Sequence, residues 1–118
     1  MENIQLNNIT KDHVYGKWEV KERINKSNQE NVFNSIKLIE IENGLYKSNN
    51  GRENSGKLLL IRETEIIYNP QLVFFINEDK IASAIITRLF SESSGDKKYH
   101  YLTLYFTTGL ELILQKIN

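Results

Sequence analysis

The sequence predicts an all-β domain, an antiparallel up-and-down barrel of about eight to nine strands with a short N-terminal helical turn. Three observations predict it. Short apolar stretches recur at roughly 8–12-residue spacing with polar punctuation between them, the rhythm of a sandwich or barrel. β-branched and aromatic residues are plentiful, whereas alanine, the best helix former, occurs only at Ala82 and Ala84. Several of the connecting stretches also carry specific hairpin signals.

Residues 4–13 are read as the helical turn. "VYGKWEVKERI" (14–24) then opens the first strand, 15–24. Its alternation puts Trp18, Val20, Glu22 and Ile24 on one face and Lys17, Glu19, Lys21 and Arg23 on the solvent face. Further strands are expected at 36–42, 45–49, 57–62, 65–69, 71–77, 80–90, 98–106 and 110–117. The stretch "KIASAIITRLF" (80–90) also fits a short buried helix.

Two connections fix pairing. Asn43-Gly44 is the two-residue type I′ signal, because both central positions need positive φ. Thr107-Thr108-Gly109 fits a three-residue loop with glycine in the left-handed position. That loop pairs Phe106 with Leu110, Leu104 with Leu112, Leu102 with Leu114, and His100 with Lys116. These eight residues share one largely apolar face. Tyr99, Tyr101, Thr103, Tyr105, Glu111, Ile113 and Gln115 share the other, mixed face, as an antiparallel barrel wall needs.

The chain has 118 residues, which fits one domain, 1–118. A domain of this size buries roughly two-thirds of its unfolded surface and needs no staple. There are no cysteines, which excludes disulfides, a thiol nucleophile and cysteine zinc sites. Fifteen basic residues balance fifteen acidic ones, without the basic excess of a nucleic-acid binder. No run of ~18 apolar residues offers a membrane span. The N-terminus lacks the apolar core of a secretory signal, so the expected location is cytoplasmic, or exported if a leader has been trimmed. The sequons at Asn8 and Asn25 are read as chance in an Asn-rich chain.

Few residues point to chemistry. "GRENSGKL" (51–58) nearly spells a phosphate-binding loop, but Leu58 replaces the hydroxyl that would hold magnesium. A strand-like run follows where that loop requires a helix, so 47–56 is read as a flexible connection. His13 and His100 lack metal-ligand spacing, and no Ser-His-Asp set can be assembled. The expectation is a non-enzyme without cofactor or metal.

One cluster suggests a ligand site. If the 91–97 loop is symmetric, Arg88 lies opposite His100. Glu22, Arg88, His100 and Lys116 then ring one rim of the barrel, with Phe90 and Leu102 beneath them. Such a ring would anchor an acidic headgroup over an apolar pocket, or form a self-satisfied ion-pair network. Val20, Ile24, Ile86, Phe90, Leu102, Leu104, Phe106, Leu110, Leu112 and Leu114 are expected inside, where they either line a pocket or fill the barrel. The Tyr99/Tyr101/Tyr105 ladder is a candidate protein-binding face.

Gly16 and Trp18, as G-x-W at the start of the first strand after a short lead, resemble the lipocalin superfamily, particularly its short bacterial lipocalin-like domains. The resemblance implies that Trp18 plugs the closed base, opposite the ionisable rim, and that the N-terminal turn caps it. It implies that Gly16 lets a neighbouring segment approach, and it makes Lys116 the stand-in for the arginine usual near the last strand. The Arg-x-Tyr carboxylate clamp of fatty-acid-binding relatives is absent. The function implied is non-catalytic binding of a small hydrophobic or amphipathic ligand, a lipid among them. The alternative is a protein–protein interaction module, of immunity or adaptor type, with a filled barrel. An enclosed cavity with an open rim marks the first; a packed interior with an exposed aromatic or charged patch marks the second.

Overall fold

The computed structural model describes residues 2–27, 29–61 and 69–117. Its strands are β1 (Glu2–Asn3), β2 (Gly16–Asn25), β3 (Leu38–Glu42), β4 (Leu45–Asn49), β5 (Glu53–Ile61), β6 (Gln71–Ile76), β7 (Asp79–Ser94), β8 (Lys97–Phe106) and β9 (Leu110–Lys116). Each strand from β2 to β9 pairs antiparallel with the next, and β2 pairs with β9. The result is a closed eight-stranded up-and-down barrel, with β1 added against the lower part of β7. A 3₁₀ turn (Leu6–Asn8) and a one-turn helix α1 (Lys11–Val14) lead into β2. Among the described residues, no helix is long and apolar enough to cross a membrane.

The turn chemistry sets the register. Asn43 and Gly44 take φ of 50° and 75°, and Glu42 pairs with Leu45 across them. Gly109 has φ of 95°, its N–H donates to the Phe106 carbonyl, and Leu104 pairs with Leu112 and Leu102 with Leu114. Residues 80–90 belong to a strand rather than a helix. That strand runs on to Ser94, so the expected 91–97 loop shrinks to Gly95-Asp96, between Ser94 and Lys97. The 47–56 stretch is likewise ordered as a hairpin: Asn49 pairs with Glu53 and β5 begins there. The strand expected at 65–69 falls on residues outside those described, except Asn69, which lies in no regular element.

Of three register shifts, at Lys21, Ile81 and Thr87, two reassign the faces of the expected site. In β2, Val20 pairs with Leu114 but Glu22 pairs with Ile113, so Lys21 is the extra residue. Parity inverts there: Arg23 and Asn25 join the side of Leu112 and Leu110, while Glu22 and Ile24 turn outward. In β7, Ile86 pairs with Leu104 but Arg88 pairs with Thr103, which makes Thr87 the extra residue. Beyond it Leu89 points in with Leu102, and Arg88 and Phe90 point out with Thr103 and Tyr101. Ile24, 42% exposed, and Phe90 therefore leave the expected interior set.

The interior is occupied. Trp18, Phe33, Tyr46, Phe74 and Phe106 are fully buried, together with Ile39, Ile41, Leu72, Ile86 and Leu102. At the base, the end where β2 begins and β9 finishes, Ile9 and Val14 join this core, and Trp18 Nε1 donates to the Val14 carbonyl at 3.0 Å. The N-terminal lead thus covers the base. Thr10 N–H donates to His13 Nδ1 at 2.9 Å, which gives His13 a capping role at α1.

At the top, residues 29–37 fold over the opening. Phe33 drops into the barrel, with ring centroids 4.7 Å from Phe74, 5.3 Å from Phe106 and 5.9 Å from Tyr46. Asn31 fixes this segment by donating to Thr108 Oγ1 at 3.0 Å and accepting from Phe33 N–H at 2.9 Å. Arg23, brought by the Lys21 bulge to the Leu112 side of the ladder and still exposed at the rim, donates from Nη2 to the Ile36 carbonyl of the same segment. Gly56 is required opposite Tyr46: a Cβ there would lie 1.8 Å from the Phe75 carbonyl oxygen and 3.1 Å from the Tyr46 ring.

Candidate functional site

The expected rim of Glu22, Arg88, His100 and Lys116 does not assemble. Glu22 is exposed on the outer face, because Lys21 shifts its parity. Arg88 pairs with Thr103, and His100 pairs with Ser91, because the turn is centred on Gly95-Asp96. Lys116 pairs with Trp18, so Lys116 and His100 belong to the base rather than to the end opposite the tryptophan. Leu102 is fully buried core. Phe90 lies on the outer wall.

The base carries the G-x-W geometry. Lys116 Nζ lies 5.9 Å from the centroid of the Trp18 ring. Gly16, at φ of 137°, makes room for that side chain, since a Cβ there would lie 2.5 Å from Lys116 Cε. The segment that Gly16 admits is therefore the aliphatic stem of Lys116.

The outer wall of β7 and β8 carries a stacked series. The Arg88 guanidinium lies 4.1 Å from the Phe90 ring centroid, and Phe90 stacks on Tyr101 at 4.9 Å and 16°. Arg88 Nε also donates to Asn3 Oδ1 at 3.2 Å, which ties β1 to the series. Tyr99, Tyr101 and Tyr105 share this face, as their alternation predicts, and each is half-buried. Ile85 and Ile113 extend it, opposite Tyr105 and Thr103 respectively.

Below this wall the β7–β8 hairpin outruns the barrel. Pairing with β9 ends at Tyr101–Gln115, whereas pairing with β7 continues to Ser94–Lys97. The β9 edge of Lys97–His100 therefore borders a groove, lined by Lys97, Lys98, Tyr99, His100, Gln115, Lys116 and Ile117. The imidazole of His100 is pushed below its ordinary pKa, first by burial and then by the Lys116 and Lys98 ammonium groups. Lys98 has the Glu2 carboxylate at 3.9 Å, with both side chains well exposed.

Sequence reasoning missed this edge because "SESS" (91–94) reads as loop. The available signal was Gly95-Asp96, a dipeptide suited to a two-residue hairpin loop. Among the described residues, no group of three or more His, Asp or Glu could hold a metal ion. The near phosphate loop is a hairpin tip running directly into β5, with no helix N-terminus to receive phosphate.

Comparisons with protein-family models, with curated proteins and with solved structures give no match.

Proposed function

We propose that the protein is a non-catalytic, lipocalin-like barrel that works through its outer surface, as a protein-interaction module. The observation that carries this reading is the occupied interior. Trp18 and the N-terminal lead cover one end, Phe33 enters the other, and large side chains fill the space between. An eight-stranded barrel has room for its own side chains or for one small ligand, and here side chains take the space. The half-buried aromatic wall of Phe90, Tyr99, Tyr101 and Tyr105 offers the residue types enriched at protein interfaces. Lipocalin likeness is supported by Trp18 at the base, by Gly16 beside it and by Lys116 over the indole.

The test is site-specific photocross-linking in the cell that makes the protein. A photoreactive phenylalanine at Tyr101 or Tyr105 is expected to give discrete protein adducts. The same group at Lys47, on the opposite wall, is expected to give none. Equal adducts from both walls, or none from either, would overturn the reading.

A second reading, ligand binding inside the barrel, rests on one observation. The Tyr46 hydroxyl is buried without a hydrogen-bond partner among the described residues, and its ring meets Phe33, the side chain that enters from the top segment. Binding of a fluorescent fatty acid by wild type, and more strongly by Phe33→Ala, would favour this reading. No binding by either protein would remove it.

A further inference from the structure

We propose that the free edge of β8, Lys97–His100, takes up an extended acidic peptide segment as an added strand. This rests on the interaction-module reading and names the chemistry of its partner.

The edge is open for a geometric reason. Pairing of β9 with β8 ends at Gln115, whereas its pairing with β2 runs on, Lys116 opposite Trp18 and Ile117 N–H donating to the Lys17 carbonyl at 2.8 Å. Below Tyr101, β8 has a strand neighbour on the β7 side alone among the described residues. Backbone groups on such an edge are a template for another strand. Four residues at ~3.3 Å each span ~13 Å, enough for four or five residues of partner.

Charge selects the occupant. Three lysines, Lys97, Lys98 and Lys116, line the groove, and among the described residues no carboxylate does. Edge lysines are a common guard against self-pairing, because a second copy would bring its own lysines to the same place. An acidic strand meets no such barrier and gains up to three ion pairs. Glu2, on β1 beyond β7, lies 3.9 Å from Lys98 Nζ with both side chains well exposed, and an acidic partner on the β9 side would compete with it for this lysine. Tyr99 and Ile117, the latter 47% exposed, offer apolar contact to alternate side chains of the added strand. The segment that fits therefore alternates acidic and apolar residues.

A fluorescein-labelled decapeptide alternating glutamate and valine, followed by anisotropy, tests this. It is expected to bind and to slow amide exchange at Lys97–His100. Binding is expected to weaken at least tenfold in a Lys97→Glu/Lys98→Glu variant whose unfolding midpoint is unchanged. A peptide of equal charge carrying proline at alternate positions is expected not to bind. Equal binding of the proline peptide would show attraction by charge without strand addition and would overturn the proposal. So would full affinity in the double variant, protection elsewhere than 97–100, or no binding. If photocross-links from Tyr101 and Tyr105 persist while the peptide fails, this inference falls and the interaction-module reading stands. If both fail, both fall.

Discussion

Lys116 and Trp18 face each other across the β2–β9 ladder, and the lysine Nζ lies 5.9 Å from the indole centroid. First and last barrel strands are thus joined by side chains as well as by backbone. Truncating Trp18→Ala is expected to cost about 3–5 kcal/mol, the range for a large aromatic lost from a core. Gly16→Ala is expected to destabilise through two separable effects, about 1–3 kcal/mol of backbone strain at positive φ and a clash with the lysine stem. Adding Lys116→Ala should recover the clash and leave the strain. Urea unfolding of the single and double variants checks the coupling; purely additive losses would show that Gly16 is not there for Lys116.

The bulge at Lys21 separates two neighbouring charged residues by role. Glu22 points to solvent, and Glu22→Ala is expected to change stability by less than ~0.5 kcal/mol. Arg23 ties the barrel rim to the Ile36 carbonyl in the segment over the top. Arg23→Ala is expected to cost about 1.5 kcal/mol, the low end for a hydrogen bond involving a charged group, because the side chain is exposed. It should also speed amide exchange in residues 31–37. Equal effects from both variants would place the bulge elsewhere.

Tyr46 keeps a hydroxyl in the core with no partner among the described residues, and burial raises its pKa. Removing an unsatisfied polar group relieves a desolvation penalty of roughly 1–3 kcal/mol. Tyr46→Phe is therefore expected to leave stability unchanged or to raise it, read from the thermal midpoint. A marked loss would reveal a hydrogen-bonded occupant beside the ring.

His100 gives the fold a pH dependence with a definite sign. Burial, with Lys116 facing it from β9 and Lys98 beside it on β8, holds its pKa below the ordinary value in the folded protein. Ser91 is its neighbour on β7, and Glu2 of β1 lies by Lys98. The unfolded chain then takes up the proton more readily. The stabilisation tied to neutral His100 is full above the unfolded value of about 6.5 and is lost as pH falls through the lower folded value. His100→Gln is expected to flatten the unfolding midpoint between pH 7 and 5; an unchanged slope would show that other groups set it.

Much of the barrel was legible where local chemistry forces one answer. Asn43-Gly44 and Gly109 demand positive φ, and the leucines around Thr107–Gly109 share a face only with a three-residue loop. The site was not legible, because it depends on parity. An inserted residue such as Lys21 or Thr87 leaves composition unchanged and inverts every face beyond it. The β7–β8 extension is polar because no core lies beneath its tip, so it lacked the apolar alternation that marks a strand. Phe33 was hidden for a similar reason: a lone phenylalanine in an asparagine-rich connection looks like loop until the barrel above which it folds is known.

Pairing of β2 with β9 also governs how the chain matures as it is synthesised. The earliest barrel strand leaves the ribosome with one flank open and stays so until the latest one follows. Contacts between distant parts of a sequence form slowly, and strands exposed meanwhile invite wrong pairing. Nascent chains halted before Leu110 should therefore hold Trp18 accessible to quenchers and bind a chaperone, both of which end once Lys116 has emerged.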